Sequence, residues 1–166
     1  RDHPKAADAG YSALLSYAAQ EKAAPQGVAP ATLQRTGVDS SLRFAKAFPK
    51  DPRTAAVLTN AAEKLYALRD TSLAASVAED VLKLDNPPAT AAQRRVAFTV
   101  VGHTSFDAGR FDRAEKAYVD VLALTPEKEA GRNDLVEKLA ASVYKQGEQA
   151  RNAGRLQEAV GHFNRV

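Results

Sequence analysis

The sequence predicts an all-α chain made of successive antiparallel helical hairpins, and three observations carry that expectation. Apolar residues recur at helical spacing in paired segments. Short polar breaks of the size that joins antiparallel helices separate the two members of each pair. The paired layout returns after about forty residues, the mark of stacked supersecondary units whose apolar faces are buried only by their neighbours. Composition agrees: in 166 residues, 45% are apolar, 26% are charged, Ala is the commonest residue, and β-branched and aromatic residues are too sparse for a sheet. A chain of this length makes one domain that buries roughly two-thirds of its unfolded surface.

The first helix is expected over 6–20 and the second over 31–48, ended by Pro49; 23–30, with two prolines and a glycine, reads as a longer loop. From 55 to 84, Leu58, Ala61, Ala62 and Leu65 and then Ala74, Val77, Ala78, Val81 and Leu82 line two helical faces, with a polar break at 68–72. From 95 to 126 the layout recurs, with Phe98, Val101, Gly102 and Phe106 on one face, a turn at 107–110, and Ala114, Ala117, Tyr118, Val121 and Leu122 on the next. Pro126 ends it. A further copy starts near Ala140, turns at 152–155 and runs through Leu156, Ala159, Val160 and Phe163, its last helix cut short at Val166. The breaks at 85–88 and 125–128 fall where connectors between hairpins belong, giving hairpins over 5–49, 53–85, 90–126 and 133–166 of a single domain. Position 1 is not Met, and 1–4 read like the tail of something earlier, so the chain is expected to be a cut from a longer precursor.

Charge and composition narrow the function classes. The formal net charge is +3, with Lys and Arg interleaved among Asp and Glu, which gives no footprint for nucleic acid. With no Cys, disulfides and thiolate metal sites are excluded. No stretch approaches the roughly 18 apolar residues of a membrane span, so no membrane insertion is expected. His3, His103 and His162 are mutually distant in sequence and lie in no HExxH frame, so no metal is expected; His162 reads as a surface residue and His103 as a solvated helix histidine or a ligand contact. Carboxylates such as Asp112 and Glu115 alternate with Arg113 and Lys116 as on solvated helix faces. There is no GxSxG elbow, SxxK motif or phosphate loop, so no catalytic residue is assigned, no cofactor is implied, and the chain is expected not to be an enzyme.

The stretch RRVAFTVVGHTSFDAGRFDRAEKAYVDVLALTP resembles the tetratricopeptide consensus of about 34 residues. With Arg95 as the first position, the large residue at four is Phe98, the aliphatic at seven Val101, the small residue at eight Gly102, the small residue at twenty Ala114, the aromatic at twenty-four Tyr118 and the proline at thirty-two Pro126. Small side chains at Gly102, Ala114, Gly147 and Ala159 are expected where paired helices touch. The resemblance extends loosely to the hairpin from 55 and again strongly from 140, but repeat separations of about forty and forty-five residues exceed the consensus, so extended connectors are expected.

The resemblance implies a right-handed superhelical solenoid of the tetratricopeptide (TPR) kind, whose concave groove binds a peptide or helix of a protein partner. By its register the groove residues are Thr59, Glu63, Tyr66, Thr99, His103, Phe106, Tyr144, Glu148 and Arg151, of which Tyr66, Phe106 and Tyr144 are the aromatic candidates. The basic clamp by which some relatives hold a chain-end carboxylate is replaced here by Thr and Glu. Wording in the last hairpin is similar to that of cell-envelope proteins, implying the periplasm or envelope of a Gram-negative bacterium, with the cytoplasm as alternative. The rival expectation is a structural spacer that self-associates as a homo-dimer through an apolar stripe of Val160, Phe163 and Val166 on the last helix.

Overall fold

Pro49, Pro52, Pro87, Pro88 and Pro126, with Gly109, Gly131 and Gly154, fall between helices, and helices fill the intervals. The structure, a computed structural model, describes residues 5–24 and 31–166. The expected leading tail with His3, and residues 25–30 of the first loop, lie outside the described residues. Among the described residues eight α-helices follow in order: α1 (Ala6–Lys22), α2 (Ala31–Ala47), α3 (Thr54–Ala67), α4 (Thr71–Lys83), α5 (Ala91–Asp107), α6 (Phe111–Ala123), α7 (Arg132–Asn152) and α8 (Leu156–Phe163). Among the described residues no strand forms; an isolated bridge joins Asp85 to Pro88. The chain is all-α, as composition and periodicity predict.

Three helix ends share one piece of chemistry. After α3, α5 and α7 the chain reverses through a single residue of positive φ: Arg69 at 64°, Gly109 at 71° and Gly154 at 75°. At each, two backbone amides return to the helix just ended. The amides of Arg69 and Asp70 reach the carbonyls of Tyr66 and Leu65, those of Gly109 and Arg110 reach Phe106 and Ser105, and those of Gly154 and Arg155 reach Arg151 and Ala150. This pairing satisfies carbonyls that the helix end leaves open, and it favours glycine because a Cβ is crowded at positive φ. Arg69 is the one non-glycine with positive φ among the described residues. Arg69→Gly is therefore expected to stabilise the chain by about 0.5–1 kcal/mol, relief of left-handed strain exceeding the entropy that glycine adds to the unfolded chain. Urea denaturation checks it, and an unchanged or lowered midpoint counts against the strain.

Within each hairpin the two helices meet at small side chains. A Cβ on Gly102 would stand 2.7 Å from the Tyr118 ring, and one on Gly147 would stand 2.5 Å from the Phe163 ring. Both pairs are sixteen residues apart, and the same separation in α3 and α4 joins Ala62 to Ala78, each fully buried. Contacts placed symmetrically about the turn make each pair antiparallel. Ala114 and Ala159 are buried as well. The first hairpin closes differently: Gly10 lies under Phe44, whose ring also meets Tyr11 and Phe48.

Each helix packs on the next along the chain, and α3 also packs on α5. Val38, Leu58, Leu65, Val77, Val81, Ala97 and Val100 belong to one apolar core; Ala114, Tyr118 and Val121 form a second with Phe98, Phe106, Leu135 and Leu139 against it. Ion pairs tie alternate helices together: Lys64 on α3 to Glu21 on α1 at 2.7 Å, Arg35 on α2 to Asp70 before α4 at 2.5 Å, and Arg113 on α6 to Glu79 on α4.

The last hairpin, expected over 133–166, opens with α7 at Arg132, two turns ahead of the repeat match counted from near Ala140. The surplus over the consensus therefore lies partly in helix and partly in the connectors 84–90 and 124–131. Arg132 anchors the second connector by donating through Nη1 to the carbonyls of Leu122 at 2.9 Å and Thr125 at 2.6 Å, which the end of α6 leaves without helical partners.

Candidate functional site

The early start of α7 walls a concavity that combines polar and apolar sides. A cavity of about 560 Å³ lies between α3, α5, the 124–131 connector and the first turns of α7. Its apolar wall includes Val96, Val100, Val121 and Leu135; its polar wall includes Glu63, Tyr66, Thr99, His103, Arg95, Glu129, Asp134 and Lys138. A second cavity of about 550 Å³, lined by Phe106, Asp134, Glu137, Lys138 and Ala141, shares Asp134 and Lys138 with the first. The two make an adjoining run along the opening turns of α7, where Asp134 and Lys138 line both.

An aromatic chain connects this run to the core. The Tyr66 phenol donates to Asp107 Oδ2 at 3.0 Å, its ring lies 5.6 Å from the His103 imidazole, and His103 Nδ1 lies 2.8 Å from the Tyr118 hydroxyl. Burial pushes the Tyr118 phenol well above its usual pKa, so it keeps its proton. Burial, then the charge of Lys138, holds the His103 imidazole below its ordinary value against the opposing pull of Asp107. With histidine neutral, we assign the phenol as donor to Nδ1, because the reverse tautomer would leave the phenol hydrogen with no acceptor. Nε2 then carries the hydrogen on the other side of the ring and makes no hydrogen bond among the described residues.

Because folding depresses the pKa of His103, the unfolded chain takes up that proton first. Stability contributed by neutral His103 is full above the unfolded value of about 6.5 and is lost as the pH falls from there toward the folded pKa. Urea unfolding at pH 7.5 and 5.5 is expected to show a smaller acid loss for His103→Gln than for the wild-type chain. Equal losses would mean the imidazole is solvated.

The structure divides the nine expected groove residues. Glu63, Tyr66, Thr99 and His103 share the first cavity, and Phe106 lines the second while packing edge-on against Phe111 at 5.1 Å. Thr59 is buried at 7% exposure, and its hydroxyl donates to the carbonyl of Ala55 at 2.7 Å, so the inner face of α3 is closed there. Tyr144, Glu148 and Arg151 line neither cavity. Tyr144 is 45% exposed and stacks at 5.3 Å on Phe163, while Glu148 takes Lys145 at 2.6 Å and Arg151 at 3.9 Å in pairs along its own helix.

His103 is thus half-buried and bonded, not the solvated helix residue that is one of its two sequence readings. His162, expected at the surface, has a side chain 17% exposed whose Nδ1 is buried without a partner. Sequence reasoning missed Arg95, Glu129, Asp134, Glu137 and Lys138. The signal was present in Leu135 and Leu139, spaced four residues apart ahead of the counted repeat.

Among the described residues no three His, Cys, Asp or Glu are grouped to hold a metal ion, and no helix is long and apolar enough to cross a membrane. Compared with known proteins, the chain matches no family model, and no curated sequence matches it.

Proposed function

We propose that this chain is a non-enzymatic scaffold of the tetratricopeptide kind, a superhelical stack of hairpins that holds a peptide or helix of a partner protein against α3, α5 and α7. One observation supports it above the rest. Residues that the register assigns to the groove on successive first helices, Glu63 and Tyr66 on α3 and Thr99 and His103 on α5, share a single open cavity with an apolar wall. A volume of about 560 Å³ lies within the range of roughly 300–1,000 Å³ typical of binding sites. The reading without catalysis rests on the state of the titratable groups: His103 is engaged by Tyr118, and Arg95 and Glu129 hold each other at 3.0 Å.

The test is a pull-down from bacterial envelope extract with the wild-type chain and with Tyr66→Ala/Thr99→Arg, which strips one wall and fills the other. Partners retained by the first and lost by the second are expected. Equal recovery of every partner overturns the groove.

Self-association through the last helix is the second reading, and its supporting observation differs from the stripe expected. Phe163 is packed between Gly147 and Tyr144, so the bare face consists of Leu156, Val160 and Val166, at 62%, 53% and 64% exposure. Light scattering over a range of concentrations tests it. A monomer at every concentration removes this reading, and a dimer dissociated by Val160→Glu supports it.

A further inference from the structure

We infer that the occupant of the groove is a basic peptide segment, one that carries Lys or Arg within a few residues of a large apolar anchor. The inference rests on the groove reading above and adds the chemistry of the ligand. Its basis is a mismatch of charge between the site and the whole chain. Overall the chain carries a formal charge of +3. The two adjoining cavities carry the opposite balance, four carboxylates (Glu63, Glu129, Asp134 and Glu137) against two cations (Arg95 and Lys138).

Pairing sharpens the difference. Arg95 is held by Glu129, which leaves Lys138 as the one cation of the lining outside an ion pair. Glu63, Asp134 and Glu137 are all exposed, and none makes an ion pair within the described chain. Elsewhere on the described surface Asp70, Glu79, Glu115 and Glu148 are paired with cations, while Asp85, Asp112, Asp120 and Glu127 are not, but only at the groove do three unpaired carboxylates stand around one apolar-walled cavity run. Three unengaged carboxylates rim cavities whose walls are Val96, Val100, Leu135, Phe106 and Ala141. An apolar anchor would displace water from those walls and be buried against them, while Lys or Arg beside it reaches the rim, its aliphatic stem lying along the apolar surface. Complementary charge of this kind also selects partners and speeds encounter. An acidic segment would meet uncompensated like charge.

The experiment uses a library of random twelve-residue peptides displayed on phage and selected on the immobilised chain. Recovered peptides are then synthesised, each beside a twin in which every Lys and Arg is replaced by Glu, and binding is measured by fluorescence anisotropy. Enriched peptides are expected to combine an aromatic or large aliphatic residue with nearby Lys or Arg. Their affinity is expected to fall about tenfold for the surface variant Glu63→Gln/Asp134→Asn/Glu137→Gln, since three exposed charge pairs each contribute up to a few-fold. It should fall again as salt is raised, and the Glu twins should not bind.

Acidic or uncharged peptides that lose binding with Tyr66→Ala/Thr99→Arg, yet bind the charge variant as tightly as the wild type, overturn the basic ligand and leave the groove standing. Peptides unaffected by either variant, or no enrichment at all, overturn both.

Discussion

Tyr118→Ala is expected to destabilise the chain by about 3–5 kcal/mol, the cost of emptying a large aromatic site that its surroundings cannot collapse to fill. The ring is 1% exposed and lies in the smaller core with Ala114 and Val121, against Phe98, Phe106, Leu135 and Leu139. Those neighbours come from α5, α6 and α7, so the cavity would open where three helices join. Tyr118→Phe keeps the ring and removes only the hydroxyl that engages His103, and should cost about 1 kcal/mol. Urea denaturation monitored by circular dichroism separates the two. A cost near that of Tyr118→Phe for the alanine variant would mean that α6 does not pack as described. The phenylalanine variant should also loosen the groove, because the imidazole loses the contact that fixes its tautomer.

What the sequence revealed, and what it hid, follows from how strongly each feature depends on local pattern. Helices and hairpin turns were readable because Gly109 and Gly154 sit where only positive φ continues the chain, and because small and large residues alternate across the helix crossings. Arg69 was legible as a polar break but not as a left-handed residue, since arginine carries no such signal. The groove was half legible. Register counting finds Glu63, Tyr66, Thr99, His103 and Phe106, which lie on first helices, yet it cannot see walls supplied by a connector and by turns outside the counted repeat. Glu129, Asp134, Glu137 and Lys138 enter the site because Arg132 ties the connector to α6 and α7 starts early, while Arg95, on α5, is turned to the site by its ion pair with Glu129. Thr59 occupies an equivalent register position and is nevertheless sealed, because α3 packs on α5 directly. Equivalent positions in repeats need not have equivalent surroundings when successive first helices differ in length.

The same dependence on neighbours makes Gly102→Ala a sharper test than its size suggests, for its effect should change sign with the residue opposite. In the wild-type chain the new methyl would stand 2.7 Å from Tyr118 Cε1 and 3.0 Å from Cζ. The ring cannot retreat, being buried and bonded to His103, so α5 and α6 must separate. Overpacking of this kind costs about 1–3 kcal/mol, offset in part by about 1 kcal/mol that alanine gains over glycine inside a helix. A net loss of about 1–2 kcal/mol is expected. In the Tyr118→Ala background the obstruction is gone and only the helical gain remains, so Gly102→Ala should then stabilise by up to about 1 kcal/mol. Gly147→Ala should be milder than Gly102→Ala, although its methyl would stand 2.5 Å from the ring of Phe163. Phe163 is only half-buried, at the last turn of the short helix α8, and can swing aside. Unfolding free energies of the four chains in the Gly102/Tyr118 cycle decide the matter. If the two effects of Gly102→Ala are equal, the glycine is not there to admit the ring.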